Sequence, residues 1–147
     1  MKRVAVQTED FDVGAELAAL EALGGGGVAS FTGVVRGEGG LIALELEHYP
    51  AMTQAQVGRI VDEALGRWPL LGVSVIHRYG QLEVGARIVF VGTASRHRTA
   101  ALESCAFLID WLKSEAPFWK KEHFGDRAAS WVAARIEDEA RAESWNR

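Results

Sequence analysis

Residues 87–114 read RIVFVGTASRHRTAALESCAFLIDWLKS and combine a core strand with the core helix that follows it. Arg87 to Ala94 is a short run of apolar and β-branched residues, which is typical of a buried strand. After Ser95 the apolar positions recur at helical spacing, which predicts a helix that ends before Pro117. The expected buried stripe of this helix consists of Ala101, Leu102, Cys105, Leu108, Ile109 and Leu112.

Strand-like and helix-like patterns alternate along the rest of the chain. The strand-like segments are residues 3–8, 28–36, 41–49 and 73–78. One helix is expected from a cap at Asp12 to about Leu23, and a second between Pro50 and Pro69, where apolar residues recur at i, i+3, i+4 and i+7. The order β-α-β-β-α-β-β-α, followed by short pieces, predicts an α+β fold in which helices pack against a mixed sheet.

Length and composition fit one globular domain that spans residues 1–147. The mass is 16.0 kDa, with 48% apolar and 24% charged residues, which excludes a natively disordered or collagen-like chain. Residues 136–147 are charged and fit either a surface helix or a tail. No apolar run reaches the roughly 18 to 20 residues that span a bilayer, and the N-terminus has no secretory signal pattern, so we expect a cytoplasmic protein.

The charge of the chain is mildly acidic overall but locally basic. The formal net charge of −4 argues against a protein that coats nucleic acid or an anionic membrane, yet residues 94–121 hold five Lys and Arg against three acidic residues. The histidines lack metal-site spacing, so neither a metal nor a cofactor is expected. Cys105 stands alone in an apolar helical pattern and is interpreted as a core residue.

Four consecutive glycines, Gly24 to Gly27, follow the first predicted helix. A phosphate-binding loop would require a Lys-Ser/Thr pair and a helix directly after the glycines, and here a strand-like segment follows instead. We therefore interpret the run as a flexible turn from helix to strand.

Ser95-Arg-His-Arg98 lies where the core strand passes into the core helix. Three basic side chains at a helix N-terminus are unfavourable on their own, since the backbone dipoles already place roughly half a positive charge there. One interpretation is a binding site for a phosphate or carboxylate, formed by these cations and the free backbone N–H groups. The alternative is that they pair with glutamates on other elements.

Lys113 lies near the other end of the same helix, and Pro117-Phe-Trp-Lys120 follows it. A lysine at a helix C-terminus is commonplace, but Pro117 allows the chain to double back and bring Lys120 towards Lys113. Two ammonium groups held together beside apolar walls would lower the pKa of at least one of them, which suits proton transfer or amine nucleophilicity. His77, Arg78 and Arg36 are further basic residues at predicted strand ends.

Five separated motifs occur in a specific order. They are Phe31–Arg36 (FTGVVR), Leu46–Tyr49 (LEHY) with Met52, His77–Gly80 (HRYG), Ser95–Arg98 (SRHR) and Leu112–Glu122 (LKSEAPFWKKE). In their order and spacing the chain, over residues 3–135, resembles the large, catalytic subunit of molybdopterin synthase. The Lys-x-x-x-Pro-x-Trp-Lys pattern within the last motif is the most distinctive.

The resemblance implies an α/β hammerhead fold and a sulfurtransferase of molybdenum cofactor biosynthesis, which converts cyclic pyranopterin monophosphate into molybdopterin. It also implies a partner, a small ubiquitin-like subunit whose C-terminal Gly-Gly tail carries the sulfur as a thiocarboxylate. Members of the family work as a central homodimer with a small subunit at each end, a heterotetramer. The alternative is a non-catalytic module that binds a phosphorylated ligand or a partner's acidic tail.

Position by position, the resemblance implies roles for individual residues. Lys113 and Lys120 match the two essential lysines, and Arg36, His97 and Arg98 match anion-binding and pterin-binding positions. Lys120 is expected at the sulfur-transfer centre and Lys113 on the substrate, although these two roles are interchangeable on the sequence.

Four more residues fall within the matching substrate-contact segments: Val34, Val35, Lys121 and Glu122. For the two valines, packing is the alternative. The chain departs from the family pattern at Arg96, which is bulkier and more basic than the small residue expected there. Residues 123–130 match only loosely, which leaves the course of the chain after Glu122 open.

Overall fold

The computed structural model describes residues 1–125, 127–132 and 136–146. The elements are β1 (Lys2–Gln7), α1 (Val13–Glu21), β2 (Gly27–Val34), β3 (Leu41–His48), α2 (Pro50–Arg67), β4 (Leu70–Arg78), β5 (Gly80–Glu83), β6 (Arg87–Ser95), α3 (Arg98–Ser114), β7 (Phe118–Phe124), β8 (Ser130–Val132) and α4 (Ile136–Ser144). Sheet A has the strand order β1-β4-β6-β2, and sheet B has the order β5-β3-β7-β8. The predicted α+β fold is confirmed, and sheet A is mixed because β1 runs parallel to β4.

Helices cover both faces of sheet A. On one face, apolar side chains such as Val75 of β4 and Val91 of β6 pack with α2 and α3. On the other face, Ile76 and Phe90 pack against Leu20 of α1. Each fully buried side chain of this size contributes roughly 1.5–3 kcal/mol, so β4, β6 and α3 form a well-anchored frame. No helix in the described part of the chain has the length and apolar character that crossing a bilayer requires.

Sheet B has a smaller core of its own. Its buried residues are Val35, which follows β2, Leu46 of β3 and Leu82 of β5. Ile88 of β6 packs against this cluster and against the larger core under α3, so it joins the two sheets.

α3 ends before Pro117, as predicted. Its residues Ala101, Cys105 and Leu108 face the sheet, and burial raises the pKa of the Cys105 thiol to about 12, which confirms Cys105 as a core residue. The prediction for Leu102 is wrong, because this side chain is 60% exposed. One residue is a 100° rotation on a helix, and that step turns Leu102 away from the face occupied by its neighbour Ala101.

The sequence patterns predict neither β5 nor the strands after Pro117. β5 lies within the segment expected to be a connection, and β7 and β8 pair antiparallel where only short pieces are expected. α4 corresponds to the helix alternative for residues 136–147. It packs on α3, where the Asp110 carboxylate accepts hydrogen bonds from Trp145 Nε1 (2.7 Å) and Arg141 Nε (3.2 Å).

The glycine run joins α1 to β2 as predicted, but the reason for the glycines is close packing and not only flexibility. A Cβ atom at Gly25 would lie 2.5 Å from the carbonyl oxygen of Ser95, and one at Gly26 would collide with the carbonyl oxygen of Arg96. Glycine is therefore required because the turn passes directly against the backbone that leads into α3.

Candidate active site

α3 runs back along β6, so its two ends lie at opposite ends of sheet A. Near the start of the helix the Thr93 hydroxyl donates to the Ala101 carbonyl (2.6 Å), and one turn later Cys105 contacts a carbonyl two residues earlier in β6 (3.9 Å). At 1.5 Å per residue, Arg98 and Lys113 are about 22 Å apart along the helix. The basic residues at the two ends of the predicted helix therefore form two separate groups.

The lysine end is the group around the end of α3, with Lys113, Lys120 and His77. The arginine end is the group around its start, with Arg96, His97 and Arg98.

His77 is the buried centre of the lysine end. It is 6% exposed, and its ring stacks on Phe118 of β7, with the ring centres 3.8 Å apart and the planes 16° from parallel. Burial lowers the pKa of His77 to about 4, and the positive charges of Lys120 and Lys113 act in the same direction. The imidazole is therefore neutral at pH 7, and both ammonium groups lie within electrostatic range of one ring.

The side chains of β7 alternate between the two faces of sheet B. Lys120 lies opposite Leu46 and Glu122 lies opposite Leu44, so these two belong to the face that carries Phe118. Lys121 belongs to the other face, where it lies opposite Glu45. The structure thus separates Lys120 from Lys121, although the sequence places them side by side.

An aromatic pocket lies where β3 ends and β7 begins. It has a volume of about 260 Å³ and is lined by Glu47, His48, Tyr49, Trp119 and Trp131. Trp119 meets Tyr49 edge-on at 5.1 Å, and Lys121 Nζ lies 5.5 Å from the centre of the Trp131 ring. These three aromatic side chains are about half exposed, so the pocket can receive an apolar or cationic group from a partner molecule.

A side-chain hydrogen bond joins β3 and β7 on the face of sheet B that carries Lys121. His123 Nε2 lies 2.9 Å from Glu45 Oε1, and this hydrogen bond is the main cause that lowers the pKa of the Glu45 carboxyl. It holds two half-buried side chains together.

His48 lies beside His77 in the aromatic surroundings of Phe118. Its ring centre is 4.2 Å from that of Tyr79 and 5.6 Å from that of Phe118. Both ring nitrogens are buried and have no hydrogen-bond partner within the described part of the chain, and burial is the main cause that lowers the pKa of His48. Two neutral imidazoles therefore line this region.

Val34 is the last residue of β2, and Val35 and Arg36 follow it. The three side chains differ in exposure. Val34 lies opposite Arg87, where β6 begins, and its side chain is 49% exposed. Val35 is 2% exposed and packs with Leu46, so for Val35 the packing alternative describes its side chain. Arg36 is exposed and pairs with Glu38 at 3.1 Å.

The arginine end is open to solvent. His97 precedes α3 with an extended backbone and makes no capping hydrogen bond, and the first helical turn has no acidic residue. Among the side chains of residues 1–125, 127–132 and 140–146, none forms a salt bridge with Arg96, His97 or Arg98. Within these residues the alternative of pairing with glutamates has no support, and Arg96 and Arg98 can bind an anion from outside.

Two contacts of the lysine end have no local signal in the sequence. His77 and Phe118 are 41 residues apart, on different sheets, and His48 approaches both only through the pairing of β3 with β7. The His-Arg pair at the end of a predicted strand indicates a functional position, but it does not indicate the aromatic partner.

Comparison with known proteins places the chain in a family. A family model described as MoaE protein matches residues 6–115. The chain belongs to the MoaE family. The resemblance drawn from the five motifs is thereby confirmed, since the relatives with curated names in this family are called molybdopterin synthase catalytic subunits.

Relatives of this MoaE chain match it over almost its full length. A molybdopterin synthase catalytic subunit from Mesorhizobium japonicum is 53% identical, covering 97% of this chain and 92% of the relative. The molybdopterin biosynthesis MoaE protein from Burkholderia ambifaria superposes with a TM-score of 0.85 at 45% identity, covering 100% of this chain and 99% of that one.

A more distant structure shares the fold. It is a complex of subunits 1 and 2 of the molybdopterin-converting factor from Helicobacter pylori, with a TM-score of 0.72 at 20% identity. The match covers 92% of this chain and 90% of that one.

Proposed function

We propose that this MoaE chain is the catalytic subunit of a molybdopterin synthase, a cytoplasmic sulfurtransferase of molybdenum cofactor biosynthesis. It converts cyclic pyranopterin monophosphate into molybdopterin, with sulfur from the C-terminal thiocarboxylate of a small ubiquitin-like subunit. The observation that carries the proposal is the lysine end, where the His77–Phe118 stack lies against the start of the strand that carries Lys120, directly after the helix that carries Lys113. Residues 1–147 act as one domain.

Positive charge beside the thiocarboxylate is what this chemistry requires. Once the sulfur has bonded to the substrate, the small subunit is held to it as a thioester. Water then adds to the acyl carbon, negative charge develops on the acyl oxygen, and collapse of this adduct releases the sulfur with the substrate and leaves an ordinary carboxylate on the small subunit. An ammonium group held in partly desolvated surroundings stabilises that charge and supplies or accepts a proton. Lys120 takes this role and Lys113 binds or polarises the substrate, with Arg36 and Glu122 beside them.

The substrate phosphate needs the arginine end as well. His97 and Arg98 lie about 22 Å from Lys113 in the same chain, too far for one small substrate to touch both groups. A second copy of the chain removes this obstacle by presenting its own arginine end to the first copy's lysine end. The distance therefore supports a homodimer, which becomes a heterotetramer with one small subunit for each copy.

The docking of the small subunit is proposed at the aromatic pocket, whose tryptophans lie on the face of sheet B that carries Lys121. Tyr49, Trp119 and Trp131 are half exposed, and half-exposed aromatic residues of this kind supply much of the binding energy at protein interfaces. To reach Lys120 on the other face, the extended C-terminal tail then passes around the start of β7, where His48 lines the pocket.

The experiment combines the chain with thiocarboxylated small subunit and cyclic pyranopterin monophosphate and measures the dithiolene product. The wild type is expected to form it, and Lys120→Ala is expected to lose at least about 100-fold of the rate, since the charge at the reacting centre is gone. Lys2→Ala is the matched control, because Lys2 is an exposed lysine that pairs with Asp62 at 2.8 Å far from the site.

The outcome also separates the enzyme from a binding module. Product formed by the wild type and lost in Lys120→Ala supports catalysis. Binding of the cyclic phosphate without product, or equal rates for Lys120→Ala and Lys2→Ala, contradicts it.

A further inference from the structure

His77 connects the two sheets at the start of β7, the strand that carries Lys120. It belongs to β4 of sheet A, and Phe118 belongs to β7 of sheet B, two strands that share no hydrogen-bonded ladder. Their rings are stacked at 3.8 Å in a buried position. The stack therefore holds the start of β7 against the frame formed by β4, β6 and α3.

The hydrogen bond of His77 fixes how its ring is oriented. Its Nδ1 atom lies 2.8 Å from the carbonyl oxygen of Arg78. A carbonyl only accepts hydrogen bonds, so Nδ1 carries the proton and donates it. The ring is thus held both by its face, on Phe118, and by its edge, on the backbone of β4.

Phe118 is linked to both lysines through short stretches of chain. Lys120 lies two residues after Phe118 in β7, a distance of about 7 Å along the strand. Lys113 lies in the last turn of α3, and the chain passes from there through Pro117 to Phe118. A shift of Phe118 against His77 therefore changes the separation of the two ammonium groups.

We propose that His77 is a positioning residue, whose flat ring holds Phe118 in place by stacking and thereby sets the spacing of Lys113 and Lys120. This inference rests on the proposed function for its catalytic consequence. A displacement of a reacting group by about 1 Å can reduce a rate by up to about 100-fold. The stacking of His77 on Phe118 therefore affects turnover even though His77 need not touch the substrate.

Two substitutions at the same position separate the stacked ring from the hydrogen bond. His77→Phe keeps an aromatic face for Phe118 and removes the donor, whereas His77→Asn keeps a donor near Arg78 and removes the aromatic face. We expect His77→Asn to lower kcat at least about tenfold with little change in KM for either substrate. His77→Phe is expected to restore kcat to within about threefold of the wild type.

A control distinguishes positioning from loss of stability. Phe11→Ala removes another buried aromatic contact, with Phe90 at 6.1 Å on the α1 side of sheet A. It should lower the unfolding temperature and leave kcat per folded molecule unchanged. Equal kcat for wild type and His77→Asn, measured per folded molecule, overturns the proposal, and so does a His77→Phe variant no faster than His77→Asn.

A second measurement needs no turnover and therefore tests the inference even if the proposed function fails. The wild type, His77→Asn and His77→Phe are treated with a short reagent that joins two amines, and the Lys113–Lys120 cross-link is quantified by mass spectrometry. The yield is expected to fall in His77→Asn and to recover in His77→Phe. An unchanged yield in all three chains overturns the inference, whereas absence of dithiolene product from the wild type overturns only the proposed function.

Discussion

The two ends of α3 carry similar charges in very different surroundings. At the lysine end, an exposed Lys113 and a half-buried Lys120 belong to the two elements on either side of Pro117, next to the buried His77–Phe118 stack. At the arginine end, His97 and Arg98 stand at an uncapped helix start, exposed to solvent and without an acidic residue in the first turn. The lysine end thus has a buried ring at its centre, whereas all three basic side chains of the arginine end are exposed.

This difference indicates what each end of α3 requires from another molecule. The lysine end already combines positively charged side chains with apolar aromatic rings, which an acyl sulfur centre uses. At the arginine end, the exposed arginine side chains and the uncapped N–H groups of the first helical turn can donate hydrogen bonds to an external anion. The difference predicts that substitutions at the lysine end alter chemistry and stability within one chain. Substitutions at the arginine end should act on the binding of an external anion.

The largest expected effect concerns acid stability at the lysine end. The pKa of His77 is about 4 in the folded chain, against 6.5 for an ordinary histidine, so between these values the unfolded state binds a proton that the folded state does not. Lowering the pH from 7 to 4 should therefore reduce the free energy of unfolding by about 3 kcal/mol through this one group. Urea unfolding across that range measures it.

The matched variant for this measurement is His77→Phe, which has no group to titrate. Its free energy of unfolding should fall less steeply with acid than that of the wild type. Parallel curves for the two chains would show that His77 is not buried as a neutral ring.

The next effect is expected at the arginine end. Arg98→Ala removes a cation that can bind the substrate phosphate, so KM for cyclic pyranopterin monophosphate should rise about 10- to 30-fold, while the free energy of unfolding stays within about 0.5 kcal/mol. Steady-state kinetics with Arg59→Ala as the control checks this. A fall in kcat with an unchanged KM would place Arg98 in the chemistry and remove the contrast between the two ends.

The smallest effect is expected for Leu102, on the helix that joins the two ends. Leu102 is 60% exposed, so Leu102→Ala should change the free energy of unfolding by no more than about 0.5 kcal/mol. Leu108→Ala is the buried reference for it: it empties a fully buried core position and should cost about 2–5 kcal/mol. Thermal and urea unfolding of the two variants compare them, and equal losses would contradict the orientation of α3.

The sequence predicts the frame of the molecule better than the site. β6 and α3 have continuous apolar patterns, so both are identified with their approximate ends. The exposure of Leu102 is not predicted, because helical spacing defines a stripe only to within about one residue on each side. β7 is not predicted, because its alternation of aromatic and charged residues, FWKKEHF, has no purely apolar face.

The site is predictable in its residues and not in its arrangement. The motifs point to Lys113, Lys120, His97 and Arg98, and the predicted helix already places them at its two ends, but only the structure shows where each end lies against sheet A. The stacking of His77 on Phe118 depends on contact between two sheets, which no local pattern encodes. Similarly, the close approach of Gly25 to Ser95 is visible only once both segments are folded.

The central claim, that the lysine end of one copy works with the arginine end of another, is tested most directly by mixing two inactive variants. Lys120→Ala and Arg98→Glu each disable one end, and dimers that contain one chain of each retain one pairing of two intact ends. After the chains are exchanged under mild denaturant and refolded, we expect about a quarter of the wild-type rate of dithiolene formation from the mixture. A mixture no more active than the separate variants would contradict the claim.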